Sequence, residues 1–288
     1  MPTRREFLAT MCALAVTGAC SQNGMQQAGA TTVASQRRRL ERIGIQLYAV
    51  RQQVQRDLPG TLASLAQMGY REVEFAGYAG RTPEQTKQLL AQHGLTSPST
   101  HIGYDQIAAN WDRALDDALA RGHRYVTIPW LPQQVRTADG MRRVADEFNR
   151  AGESARRRGL RFAYHNHDFE FAKAGETTLF DMLIAGTNPD DVFFQMDVFW
   201  LVKGGGDPLA YIRQHPTRFT MLHIKDSSGP PDHRQVDVGA GTIDFAGILR
   251  LDESQRSVVE HVFIEHDSPA DPMAFAKTSI DYLSRLEY

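Results

Sequence analysis

From Ile43 onward, short apolar runs alternate with longer stretches that carry apolar residues on one face only. The runs are strand-length and rich in Val, Ile and aromatics; the longer stretches repeat at the helical period. The pattern predicts strands at Ile43–Tyr48, Glu72–Ala76, Thr96–Gly103, Tyr125–Trp130, Leu160–His165, Val192–Val198, Phe219–Lys225 and Val262–His266. The helices between and after them are predicted near Pro59–Gly69, and at Pro83–His93, Ile107–Ala120, Gly140–Arg158, Thr178–Ala185, Pro208–Gln214, Asp244–Leu251 and Pro272–Leu286. Pro83, Pro208 and Pro272 stand at helix starts, and Gly94, Gly122 and Gly159 at helix stops, where each residue's backbone preference belongs.

Strands that alternate regularly with helices demand a parallel sheet, and eight such units close into a barrel. The expected fold class is therefore α/β, a (β/α)8 TIM barrel of catalytic type over residues 42–288. An open doubly wound sheet would want a glycine-rich phosphate loop after its first strand. Here Leu47-Tyr48-Ala49-Val50-Arg51 follows instead. Gly204-Gly205-Gly206, after the sixth strand, lacks the dinucleotide-binding spacing and reads as a loop.

The chain ahead of the barrel reads as an address. Thr3-Arg4-Arg5-Glu6-Phe7-Leu8 fits a twin-arginine export signal, followed by a mildly apolar stretch from Ala9 to Ala19. That stretch falls short of the roughly 20 residues a membrane span needs. Residues 1–30 are read as the signal and 31–41 as a flexible linker, giving an exported, periplasmic protein. Gly18-Ala19-Cys20-Ser21 resembles a lipoprotein box that would tether the chain through Cys20. Ala28-Gly29-Ala30 is a competing cleavage site.

Composition narrows the chemistry. The only two cysteines are Cys12 and Cys20, so the barrel has no disulfide, zinc-thiolate cluster or cysteine nucleophile. Any metal there must be held by His, Asp and Glu. Net charge is −2 and the arginines are scattered, which excludes a global basic field for nucleic acid.

Barrel chemistry sits where strands end. The fifth predicted strand ends in His165, with His167 and Glu170 beyond; the sixth in Asp197; the seventh in His223 and Lys225; the eighth in Glu265. One polar strand end is weak testimony, since half-buried strands alternate anyway. Four adjacent strands finishing in His, Asp, His and Glu converge on one side of the mouth. A shared divalent cation satisfies all four at once, against the several kcal/mol that unpartnered buried charges would cost. The nitrogen and oxygen donors suit Mn²⁺, Co²⁺, Fe²⁺ or Zn²⁺ better than Mg²⁺. A metal-free polar network is the alternative. Glu74 and His101 are candidate substrate contacts; Trp130 and Trp200 are candidate walls for a sugar ring.

At Tyr164-His165-Asn166-His167-Asp168-Phe169-Glu170-Phe171, Met196-Asp197-Val198, His223-Ile224-Lys225-Asp226 and Ile264-Glu265, the chain resembles the sugar phosphate isomerase/epimerase superfamily, the xylose isomerase-like TIM barrels. The resemblance covers residues 42–288, and among the superfamily's branches the inosose dehydratases and 3-keto-glycoside lyases look most similar. It implies one divalent ion, Mn²⁺ foremost, on Asp197, His223 and Glu265. The fourth position departs from the pattern: His165 stands where many relatives carry a glutamate ligand, with Glu170 as the alternative. Keto-sugar epimerases work with two carboxylates, from strands five and eight. Losing one moves the expectation toward a single-base isomerase or lyase, working through an enediolate on a keto-sugar or 3-keto-glycoside. His167 is the candidate acid/base, because imidazole titrates near neutrality. Glu265 shares that role, and Lys225 steadies a developing oxyanion. A keto-sugar epimerase and a non-catalytic carbohydrate-binding barrel are the alternatives; a metal endonuclease is remote. The expected partner is a small carbohydrate, without nucleic acid; the lipid tether and a homo-oligomer stay open.

Overall fold

The computed structural model describes residues 38–254 and 259–288. The signal and most of the linker lie outside the described residues. Arg38 and Tyr288 exchange two backbone hydrogen bonds, of 3.0 and 3.1 Å, so residues just ahead of 42 are tied to the barrel's C-terminus.

Eight parallel strands form one sheet: β1 Gly44–Gln46, β2 Glu72–Glu74, β3 Ser99–His101, β4 Tyr125–Ile128, β5 Arg161–His165, β6 Val192–Asp197, β7 Phe219–Ile224 and β8 His261–Ile264. Each pairs with its chain neighbours except across β2 and β3, and β8 pairs back onto β1. The remaining seam, between β2 and β3, is bridged at Glu72 with Thr96 and at Phe75 with Thr100. The fold is the expected (β/α)8 barrel.

The strands are shorter than the apolar runs suggested, for a local reason. Side chains at the C-terminal ends turn into the mouth, and the backbone leaves the ladder there. Val198, read as strand, instead begins a helix, Val198–Lys203; Asp197 Oδ1 caps it by accepting from the Trp200 amide at 3.0 Å. Trp200 therefore stands on a first helical turn rather than a strand end, and the triple glycine follows that helix. The stretch read as one helix from Ile107 divides into Asp105–Ala109 and Trp111–Arg121, because Asn110 leaves helical geometry between them, at φ −153° and ψ 36°. Gly122 ends the second at φ 88°, which other residues adopt only with strain. Among the described residues, no helix is long and apolar enough to cross a membrane.

Two apolar layers position the site. Between strands and helices lies the main core, with Phe148, Phe162, Phe180, Phe194 and Phe219 fully buried. Inside the barrel, Tyr125, Ala163, Met221 and Phe263 form a separate floor. The Phe263 ring crosses so close to β1 that a Cβ on Gly44 would lie 2.4 Å from its Cδ1. The polar layer rests on this floor.

Candidate metal centre

Strand register brings the strand-end residues together. Asp197 on β6 stands beside His223 on β7, whose other neighbour on β8, Phe263, lies two residues before Glu265. His165 ends β5 beside Gln195. Donor atoms of His165, Asp197, His223 and Glu265 lie within 4.8 Å of one another, and all four residues are buried. Glu170, the alternative to His165, is turned away: its carboxylate accepts from the Tyr164 hydroxyl and, at 2.9 Å, from the His167 amide. Burial pushes it up to about 8. The local chain tethers that carboxylate behind the strand, so it does not join the cluster.

The quartet has the chemistry of a divalent site. Asp197 Oδ2 is buried and makes no well-directed hydrogen bond; its neighbours are the Lys225 ammonium, an ion-pair partner at 3.0 Å, and the His165 Nε2 at 3.6 Å. Burial lifts the Asp197 carboxyl to about 6 against the pull of Lys225. Burial, and then the neighbouring His223 and His167, hold His165 well below its usual value, so it is a neutral nitrogen donor. Burial opposes a charge on His223, but Glu265 and Glu74 outweigh it and push the imidazole up to about 10. Its two nitrogens sit 2.7 Å from each of those carboxylates. Burial is likewise outweighed at Glu265, which Lys225 and His223 hold well below the usual carboxylate range.

Beneath the donors lies a polar tier whose two buried amides, Gln46 and Gln195, sequence reading did not single out. Gln195 donates to Glu74 Oε1 at 2.8 Å, and its oxygen lies 2.9 Å from His101 Nε2 and 3.1 Å from His165 Nδ1. Gln46 donates to Glu74 Oε2 at 2.8 Å. Glu74 is thus ringed by donors and 0 % exposed. It supports His223 from below and does not reach the cavity, contrary to the substrate contact expected of it. The signal for Gln195 was present: it is a lone amide in an apolar run, two residues before Asp197 and on the same face.

Above the donors opens a cavity of about 730 Å³, lined among others by His101, Trp130, His165, His167, Trp200 and Lys225. His101, Trp130 and Trp200, the remaining candidate substrate contacts, all line this cavity. Lys225 is 1 % exposed and meets Asp197, Glu265 and Asp267 at 3.0, 3.1 and 2.7 Å. Those carboxylates outweigh burial and keep its ammonium charged. Asp267, which was not assigned a role, is held by Gln235. His167 has aromatic rings around it, with Trp130 at 4.7 Å and Trp200 at 5.3 Å between centroids. Its Nδ1 has no partner. Burial, with Lys225 nearby, lowers its titration to about 3, far from the neutrality that suggested it as an acid.

Fold and donor cluster together define a parallel βα barrel with a candidate divalent-metal centre at its C-terminal mouth. Residues 62–283 match the xylose isomerase-like TIM barrel family, and the chain belongs to that family. It is 24 % identical over 286 residues to an inosose dehydratase of Geobacillus kaustophilus, covering 80 % of this chain and 90 % of that protein. With an inosose dehydratase of Lacticaseibacillus casei it shares 34 % over 180 residues, spanning 55 % of this chain and 59 % of the relative. A sugar phosphate isomerase/epimerase from Parabacteroides distasonis superposes with a TM-score of 0.75 at 26 % identity, covering 85 % and 98 % of the two chains. The IOLI protein with a bound zinc atom shares the fold at 13 % identity, TM-score 0.67, over 85 % and 98 %. With these relatives, the chain is an enzyme of the isomerase/epimerase or lyase type.

Proposed function

We propose that the protein is a divalent-metal-dependent lyase or isomerase that removes the proton α to a carbonyl of a keto-sugar or 3-keto-glycoside and passes through an enediolate. The observation that carries this reading is the quartet of His165, Asp197, His223 and Glu265, with the Lys225 ammonium beside it. The donor set suits Mn²⁺ best, with Co²⁺, Fe²⁺, Zn²⁺ or Mg²⁺ as alternatives. A cation held there supplies the charge that polarises the carbonyl and makes the α-proton acidic.

The chain's own groups divide the remaining work. Glu265, ionised at neutral pH, is the proton acceptor. Lys225 stays charged and steadies negative charge as it develops on oxygen. His167 is neutral and offers its free Nδ1 to a substrate hydroxyl. In an elimination the proton taken up by Glu265 is the one that leaves with the departing oxygen, and His167 stays neutral. Trp200 and Trp130 present faces for the apolar side of a sugar. Epimerisation is less well supported, because of the β5-loop carboxylates Glu170 faces away and Asp168, at the cavity rim, is paired with Lys203 at 3.4 Å.

The Arg4-Arg5 signal supports export to the periplasm, where an unphosphorylated glycoside is the fitting substrate, with the protein soluble or tethered through Cys20. Purified protein reloaded with Mn²⁺ should exchange solvent deuterium into a keto-sugar, and His165→Ala should lose bound metal. Absence of exchange from any keto-sugar would sink the catalytic reading. Unchanged metal content in His165→Ala would remove it from the ligand set.

A further inference from the structure

Among the described residues, three large hydrophobic side chains are exposed: Tyr48 at 44 %, Leu119 at 39 % and Trp130 at 47 %. Two of the three line the same cavity, above the donor quartet. Neither ring is loose. The Arg51 guanidinium lies 4.2 Å from the Tyr48 centroid and is itself pinned by the carbonyls of Tyr48 and Asp267, at 2.9 and 2.8 Å. The Arg136 guanidinium lies 4.1 Å from Trp130 and 3.6 Å from Phe169, fixed by two hydrogen bonds to the Leu131 carbonyl. Each exposed aromatic is thus braced by an arginine, and much of its surface stays open to water. Keeping such surface wet is unfavourable for folding, while a rigid aromatic is a low-entropy platform for a ring with an apolar face.

The rim beside these rings is polar. Asp168 and Lys203, paired at 3.4 Å, and Ser268 line the same cavity. They can hydrogen-bond hydroxyls at the edge of a stacked ring. Inward, Trp130 lies 4.7 Å from His167, and His167 5.0 Å from His165. Trp130 is therefore two ring-to-ring steps from the donor cluster, and Tyr48 lines the same cavity.

We propose that Tyr48 and Trp130 form an outer subsite that stacks a second sugar ring, so that the enzyme takes glycosides of two rings rather than free monosaccharides. An apolar face edged with hydroxyls matches the braced rings and the polar rim together. This rests on the carbohydrate reading of the site, but binding alone tests it.

The experiment is calorimetry on the full Mn²⁺-loaded protein with methyl glucoside, cellobiose, maltose, trehalose and p-nitrophenyl glucoside. At least one disaccharide should bind about tenfold more tightly than methyl glucoside, about what one or two stacking contacts supply. Tyr48→Ala should abolish that difference and leave methyl glucoside binding within about twofold; Trp130→Ala should abolish it too, with a larger loss for the disaccharide than for methyl glucoside. Trp130→Phe should restore most of it. Equal affinities for one and two rings, no binding of any disaccharide, or equal losses for both sizes in the alanine variants would each overturn the subsite. An aryl glycoside binding more tightly than every disaccharide would overturn the second sugar as its occupant. Failure of deuterium exchange alongside selective disaccharide binding would overturn the reaction and keep the subsite.

Discussion

Replacing Lys225 by Met tests how the cluster balances its charge. Methionine keeps most of the stem and removes an ammonium that is 1 % exposed and within 3.1 Å of Asp197, Glu265 and Asp267. Asp267 is 34 % exposed and can rehydrate, whereas Asp197 is 0 % and Glu265 5 % exposed. Leaving buried charge unpaired costs about 3–5 kcal/mol. In a domain of roughly 250 residues each kcal/mol moves Tm by about 2 °C, so the loss should be roughly 6–10 °C in chelator. The penalty has a ceiling set by protonation. Asp197 already titrates near 6, and without Lys225 it rises further, so it takes up a proton as pH falls. The destabilisation should therefore be larger at pH 8 than at pH 5. Added Mn²⁺ should raise the Tm of Lys225→Met more than that of the wild type, because the cation replaces the missing charge. Thermal unfolding followed by circular dichroism measures all three. A variant melting within about 2 °C of wild type in chelator at pH 8, or a penalty independent of pH, would refute this charge balance.

Gln195→Leu removes the amide that joins Glu74, His101 and His165; metal affinity, read by competition with a chromophoric chelator, should fall about 10–100-fold, and an unchanged affinity in a folded variant would count against the supporting tier. Glu170 is raised by burial to about 8 from an ordinary 4.5, so its neutral form is favoured in the fold. That stability is full below about pH 4.5 and is lost as pH rises through 8, by about 1.4 kcal/mol for each pH step of one between those values. Denaturant titrations should show a downward slope across that window that Glu170→Gln flattens; parallel pH profiles would refute the assignment. Gly44→Ala places a methyl 2.4 Å from the Phe263 ring and should cost about 1–3 kcal/mol, with recovery when Phe263→Leu is added.

The architecture was legible in the hydrophobic pattern. Eight alternations of short apolar run and amphipathic stretch leave a parallel barrel as the economical closure, and barrel geometry alone sends the ends of β5 to β8 to one mouth. His165, Asp197, His223 and Glu265 were legible because each is a polar break at the end of an apolar run. Which of several nearby polar groups turn inward was decided by the folded chain. His165 and Glu170 are five residues apart with equal ligand chemistry; Tyr164 and the His167 amide captured one of them, and only the folded loop shows it. Glu74 looked like any strand-end carboxylate until Gln46, Gln195, His101 and His223 closed around it from other strands. His167 has the titration of a free imidazole when read as sequence, while burial among Trp130 and Trp200 removes it in the fold. Periodicity is a local property that one strand carries alone. Hydrogen-bond partners, desolvation and charge balance belong to residues far apart in the chain, and they exist only once the barrel has closed.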